Sequence, residues 1–111
     1  MSRITTHVLD TARGRPAAGV PVTLELLSGD SWKTIGRGRT DADGRARELC
    51  DGDVAVGRYR LTFETGAYFA ASGVEGFFPV AQIVFDVRNA GEHHHVPLLL
   101  SPFGYSTYRG S

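Results

Sequence analysis

Four histidines, one cysteine and an arginine in a glycine turn are the side chains that offer chemistry. His93, His94 and His95 are consecutive and lead into "VPLLLS". In a strand, alternate side chains share a face, so Val96, Leu98 and Leu100 put His94 on the apolar side. His93 and His95 then point the other way, with Pro97, Leu99 and Ser101. Near the start, "RITTHVLD" sends Ile4 and Val8 toward a core and turns His7 away from it. Outward imidazoles on two strands, such as His7 and His95, fit a site, an interface or plain solvated surface, and spacing does not choose among these. His-x-His places two metal ligands on one face. A structural zinc site needs four, however, and Cys50 and the scattered acids supply no matching spacing, so no metal is expected. Cys50 has no nearby base in sequence and reads as a small buried apolar residue. Arg45 follows Gly44 in a turn, where a solvated guanidinium is the plain reading. Ser28, Ser31 and Ser101 lack a nucleophile-elbow context, and "GRGRTDADG" opens no helix that could hold a phosphate.

The elements that must position these residues read as strands. Short β-branched runs lie between clusters of Gly, Pro and Asp, which is an all-β pattern. "VPVTLELL" puts Val20, Val22, Leu24 and Leu26 on one face, with Pro21 on the other. "WKTIGRGRT" is a weaker strand, and "DADGRA" is a tight turn. "RYRLTFE" alternates cleanly, with Tyr59, Leu61 and Phe63 inward and Arg58, Arg60, Thr62 and Glu64 outward. "AQIVFDV" lines up Ile83, Phe85 and Val87, and "HHHVPLLLS" is the last secure strand. "TARGRPAAG" reads as a loop, and Ala67 to Ala71, closed by Gly73, as one or two helical turns. The pattern predicts a β-sandwich of seven or eight strands with one short helix. The closing "SPFGYSTYRGS" matches neither a helix nor a buried strand.

With 111 residues the chain is long enough for one domain, 1–111. Lys plus Arg and Asp plus Glu are 12 each, so the formal net charge is zero. That argues against nucleic-acid binding, which draws on a basic surface. A single cysteine cannot form an intrachain disulfide. No run approaches the ~20 apolar residues of a membrane span, and the first ten residues lack a signal-peptide pattern, so a cytoplasmic protein is expected.

Long motifs in order carry a resemblance. "THVLDTARGRPAAGVPVTL", "TDADGR", "GRYRLTFETGAYF" and "HVPLLLSPFGYSTYRGS" together resemble the transthyretin-related 5-hydroxyisourate hydrolases over nearly the whole chain. The terminal Tyr-Arg-Gly-Ser is the most specific of these. The resemblance implies an all-β, transthyretin-like sandwich of two four-stranded sheets with one short helix. It implies a homotetramer with active sites in a channel where two dimers meet, which would order the tail. The reaction would be hydrolytic ring opening of 5-hydroxyisourate, on the route from urate to allantoin, with no cofactor and no metal. Residue by residue, the catalytic set falls on His7, Arg45, His95 and Ser111. The same residues with Tyr108 would contact substrate, and Gly110 would let the backbone pass close. His94 stands where the family often has tyrosine. Which histidine is the base, and whether Ser111 acts by its hydroxyl, stay open. Two other classes remain: a carrier of the same fold without catalysis, and a catalytically silent interaction module.

Overall fold

Period-two alternation sorts each strand's side chains onto two faces, and two sheets stack on their apolar faces. The computed structural model describes residues 3–111. One sheet contains β1 (Ile4–Asp10), β2 (Arg15–Pro16), β5 (Arg45–Ala46), β8 (His94–Ser101) and β9 (Gly104–Thr107). Its order is β2-β1-β8-β9, with β5 also paired to β1. The other sheet runs β4-β3-β6-β7, from β3 (Pro21–Ser28), β4 (Ser31–Arg39), β6 (Gly57–Phe63) and β7 (Ala81–Val87). Each sheet thus has a four-strand path, as expected, and the two-residue β5 adds a fifth strand to the first. The pairings are antiparallel except β1 with β8, which is parallel.

The core is the one the alternation predicts. Ile4 and Val8 of β1, Val22 and Leu24 of β3, Tyr59, Leu61 and Phe63 of β6, and Leu98 and Leu100 of β8 are all buried. Leu26, Ile83 and Phe85 are half-buried against this cluster. The helix α1 (Thr65–Ala71) ends in a Schellman arrangement. The Val74 amide donates to the Phe69 carbonyl at 2.9 Å and the Gly73 amide to that of Ala70 at 3.1 Å. Tyr68 on this helix donates its hydroxyl to Asp10 Oδ2 at 2.7 Å. Asp10 Oδ1 accepts the amides of Ala12 and Arg13, each at 3.1 Å, and so closes the turn that ends β1.

Three segments are more regular than their sequence pattern. The tail reverses after Ser101 and returns as β9, pairing Leu98 with Thr107 and Ser101 with Gly104. It is an exposed edge strand, and backbone bonds to β8 hold it rather than an apolar face. Thr107 Oγ1 reinforces it by donating to the Pro97 carbonyl at 2.7 Å. The loop "TARGRPAAG" contributes β2, and the turn "DADGRA" runs into β5. Both are two-residue pairings with β1, too short for any periodicity to register. His93 lies just outside β8, which begins at His94.

Candidate active site

The first sheet collects the candidate residues through register. Antiparallel pairing sets His7 of β1 opposite Arg45 of β5. Parallel pairing sets Thr5 of β1 opposite His95 of β8. Thr5 and His7 are two apart, so they share the face that the core does not use. Arg45 is delivered by the turn before it. Asp41 Oδ1 accepts the amides of Asp43 at 2.9 Å and Arg45 at 3.0 Å. Gly44 takes φ +75°, and a Cβ there would lie 2.5 Å from the Val8 carbonyl oxygen. Only glycine lets the turn press this closely onto β1.

A cleft of about 260 Å³ opens on this sheet, lined by Thr5, Thr6, Arg45, Arg47, Glu48, His93, His95 and Ser111. His95 is held on two sides. Its Nδ1 lies 2.8 Å from Thr5 Oγ1, and the same hydroxyl lies 2.9 Å from His93 Nε2. The two imidazoles stack with centroids 6.3 Å apart and planes 25° from parallel. From the tail, Gly110 forms a bridge to His95 and donates its amide to the His95 carbonyl at 2.8 Å. A Cβ on Gly110 would come within 2.6 Å of His95 Cδ2, so glycine is what lets the tail lie against the ring. Arg109 anchors the same segment by an ion pair with Glu92.

Electrostatics favour a neutral imidazole here. Burial pushes the His95 pKa below its ordinary value, and the Arg45 guanidinium, His93 and His7 push it further the same way. A neutral imidazole that shares a cleft with a guanidinium can accept a proton near a group suited to binding carbonyl or oxyanion oxygens.

Of the residues singled out in the sequence, Arg45, His95 and Ser111 meet in this cleft. His7 stands beside Arg45 in register but is not part of the cleft's wall. Tyr108 lies in an adjoining groove of about 240 Å³ that also includes Phe85, Val96 and Arg109. His95 borders both spaces. His94 is buried as expected, its Nδ1 donating to the Glu92 carbonyl at 3.0 Å. Cys50 is half-buried against the core and borders neither space. Thr5, Arg47 and Glu48 were not singled out in the sequence. For Thr5 a signal existed, since it shares the outward face of His7, but only the β1–β8 register brings it to His95. Among the described residues no group of three His, Cys, Asp or Glu side chains is placed to hold a metal ion.

Comparison with known proteins gives the family. The family model described as "Transthyretin: HIUase/Transthyretin family" matches residues 4–110. A 5-hydroxyisourate hydrolase of Caulobacter vibrioides is 52% identical over the whole of both chains. The structure of Klebsiella pneumoniae 5-hydroxyisourate hydrolase superposes with a TM-score of 0.87 at 44% identity, covering 97% of this chain and 92% of that one. Sea bream transthyretin in complex with thyroxine gives a TM-score of 0.88 at 33% identity, covering 98% and 95%. With its motifs in order and its sheets superposable over nearly their full length, the chain belongs to the HIUase/transthyretin family.

Proposed function

We propose that the chain hydrolyses 5-hydroxyisourate to 2-oxo-4-hydroxy-4-carboxy-5-ureidoimidazoline, the step that follows urate oxidation on the way to allantoin. The observation that carries this reading is the convergence of a neutral His95, Arg45 and Ser111 on one cleft. The product bears a carboxyl and a ureido group, so the bond broken joins a ring carbonyl carbon to a ring nitrogen. Water supplies hydroxide to the carbon and, in net, a proton to the nitrogen. His95 takes the proton from water as it attacks. Arg45 offers a planar fork to the flat, oxygen-rich ring and steadies the negative charge that develops on the carbonyl oxygen. His7, opposite Arg45 in register, meets the substrate from beside it. Ser111 places water or substrate through its hydroxyl, since an already reactive ring needs no acyl-enzyme. Tyr108 closes the site from the adjoining groove.

The chain acts as one domain, in the cytoplasm, without cofactor or metal. No helix among the described residues is long and apolar enough to cross a membrane. It assembles as a homotetramer whose sites lie at the dimer–dimer interface. Burial in such an interface would account for Phe103 and Tyr108, which stay exposed on one protomer. The carrier reading draws on the sea bream transthyretin fold, but an apolar ligand gains nothing from the imidazoles and guanidinium that wall this cleft. The test supplies 5-hydroxyisourate freshly from urate oxidation and follows its loss by absorbance and its product by 13C NMR. Loss faster than spontaneous decay, with a new carboxylate carbon, is expected. Decay at the spontaneous rate would overturn the reading.

A further inference from the structure

One hydroxyl lies between two imidazoles that line the cleft. Thr5 Oγ1 is 2.8 Å from His95 Nδ1 and 2.9 Å from His93 Nε2. A threonine hydroxyl carries a single proton, so it can donate to only one of these nitrogens and must accept from the other. Two arrangements are possible, and they leave His95 with opposite capabilities. If Thr5 donates to His95 Nδ1, the neutral ring carries its proton on Nε2 and has no lone pair for the cleft. If His95 Nδ1–H donates to Thr5, Nε2 is the bare nitrogen, and Thr5 passes its own proton toward His93. The charges around the ring favour the second. Arg45, whose guanidinium acts on His95 electrostatically, is a donor with no acceptor atom, and a lone pair is better placed in its field than an N–H. Arg47 is a second cation on the cleft wall, Glu48 the acid beside it, and His7 the remaining imidazole that acts on His95.

We infer that Thr5 is a positioning residue that fixes His95 in its Nδ1–H form and joins it to His93 in a proton relay. The relay rests on the hydrolase reading above. As water attacks the ring carbonyl, its proton goes to His95 Nε2. The His95 Nδ1 proton moves to Thr5 Oγ1, and the Thr5 hydroxyl proton moves to His93 Nε2. His95 ends neutral as the other tautomer, and the positive charge rests on His93. His93 is exposed, whereas His95 is half-buried beside Arg45. The charge therefore leaves the place where burial and a guanidinium oppose it for one where water solvates it. Return of the proton along the same path restores His95 and supplies the leaving nitrogen. Nothing in the one-dimensional pattern shows this, because the three side chains meet only through the parallel register of Thr5 with His95.

The test has an arm that does not depend on turnover. Thr5→Val keeps the shape and removes the hydroxyl, Thr5→Ser keeps the hydroxyl, and His93→Phe keeps a stacking ring without nitrogen. In the native protein, 15N NMR of the imidazoles is expected to show His95 protonated at Nδ1 at neutral pH, and Thr5→Val is expected to lose that preference. In turnover, Thr5→Val and His93→Phe are expected to lower kcat by ~10-fold or more with KM nearly unchanged, and Thr5→Ser to restore most of it. A native His95 protonated at Nε2 would overturn the inference. So would a Thr5→Val enzyme with native kcat, or a Thr5→Ser enzyme as impaired as Thr5→Val. A native protein that shows the Nδ1–H signal but does not hydrolyse 5-hydroxyisourate would refute the reaction and leave the tautomer lock standing.

Discussion

Replacing Gly110 by alanine adds one methyl group at the point where the tail meets His95. Its Cβ would lie 2.6 Å from His95 Cδ2 and 3.3 Å from both Cγ and the carbonyl oxygen. Carbon atoms rest at about 3.5–4.0 Å, so ring and tail must separate by roughly 1 Å. The Gly110 amide is bonded to the His95 carbonyl, which resists movement of the tail backbone. The ring therefore takes much of the shift, at the expense of its 2.8 Å contact with Thr5. A misplacement of about 1 Å at a reacting group can cost on the order of 100-fold in rate. Gly110→Ala is expected to lower kcat/KM for 5-hydroxyisourate by about 30- to 100-fold on that basis. Thermal unfolding should change little, because the site is at the surface and the core is untouched. Gly104→Ala is the control in the same hairpin, since its Cβ would meet only Ser101 Oγ, at 3.8 Å. It should stay within about twofold of native, as befits an ordinary van der Waals contact. The comparison uses initial rates of substrate loss at matched concentration. A Gly110→Ala enzyme as active as native would show that the tail does not position His95.

The acid limb of kcat/KM should lie below 6.5, the ordinary imidazole value, because His95 acts neutral and its pKa is lowered in the fold. A rate profile over pH 4 to 8 with its limb above 6.5 would contradict the lowered pKa, which also makes the fold more stable above the unfolded-state value than below the lowered one. Arg45→Ala should cut kcat/KM by ~100-fold or more and move the limb to higher pH, since the guanidinium helps keep His95 neutral; a limb that stays put or moves down would break that link. A peptide fused after Ser111 should lower activity more than the same peptide fused before Met1, because Ser111 borders the cleft; equal activities in the rate assay would remove the tail from the site. Leu61→Ala, at a fully buried position of β6, should cost about 2–5 kcal/mol in denaturant unfolding, and a loss under 1 kcal/mol would mean the core is not where the alternation puts it.

Alternation made the sandwich legible because each long strand has one wet and one dry face. Tyr59, Leu61 and Phe63 against Arg58, Arg60 and Thr62 is a pattern only a half-buried strand produces. The same rule separated His94 from His93 and His95, and the structure buries His94. The tail strand β9 escaped because backbone pairing to β8 and the Thr107 hydroxyl hold it, and neither leaves an apolar period. The meeting of His7 with Arg45, and of Thr5 with His95, depends on register between strands far apart in sequence, which no single strand encodes. Motif resemblance supplied the residues Arg45 and Ser111, whose own types would have passed as a turn cation and a chain end. It supplied no partner for His95, and Thr5 entered only through distance.

Catalysis by His95 is tested by comparing the native chain with His95→Ala, each added to 5-hydroxyisourate as it forms from urate, with the spontaneous decay measured alongside. The native chain is expected to accelerate the loss, and the variant, folded and assembled like the native protein, to fall at least ~100-fold short. Equal rates for native and variant above the spontaneous decay would contradict the role of His95, and a native rate equal to spontaneous decay would contradict the hydrolase reading itself.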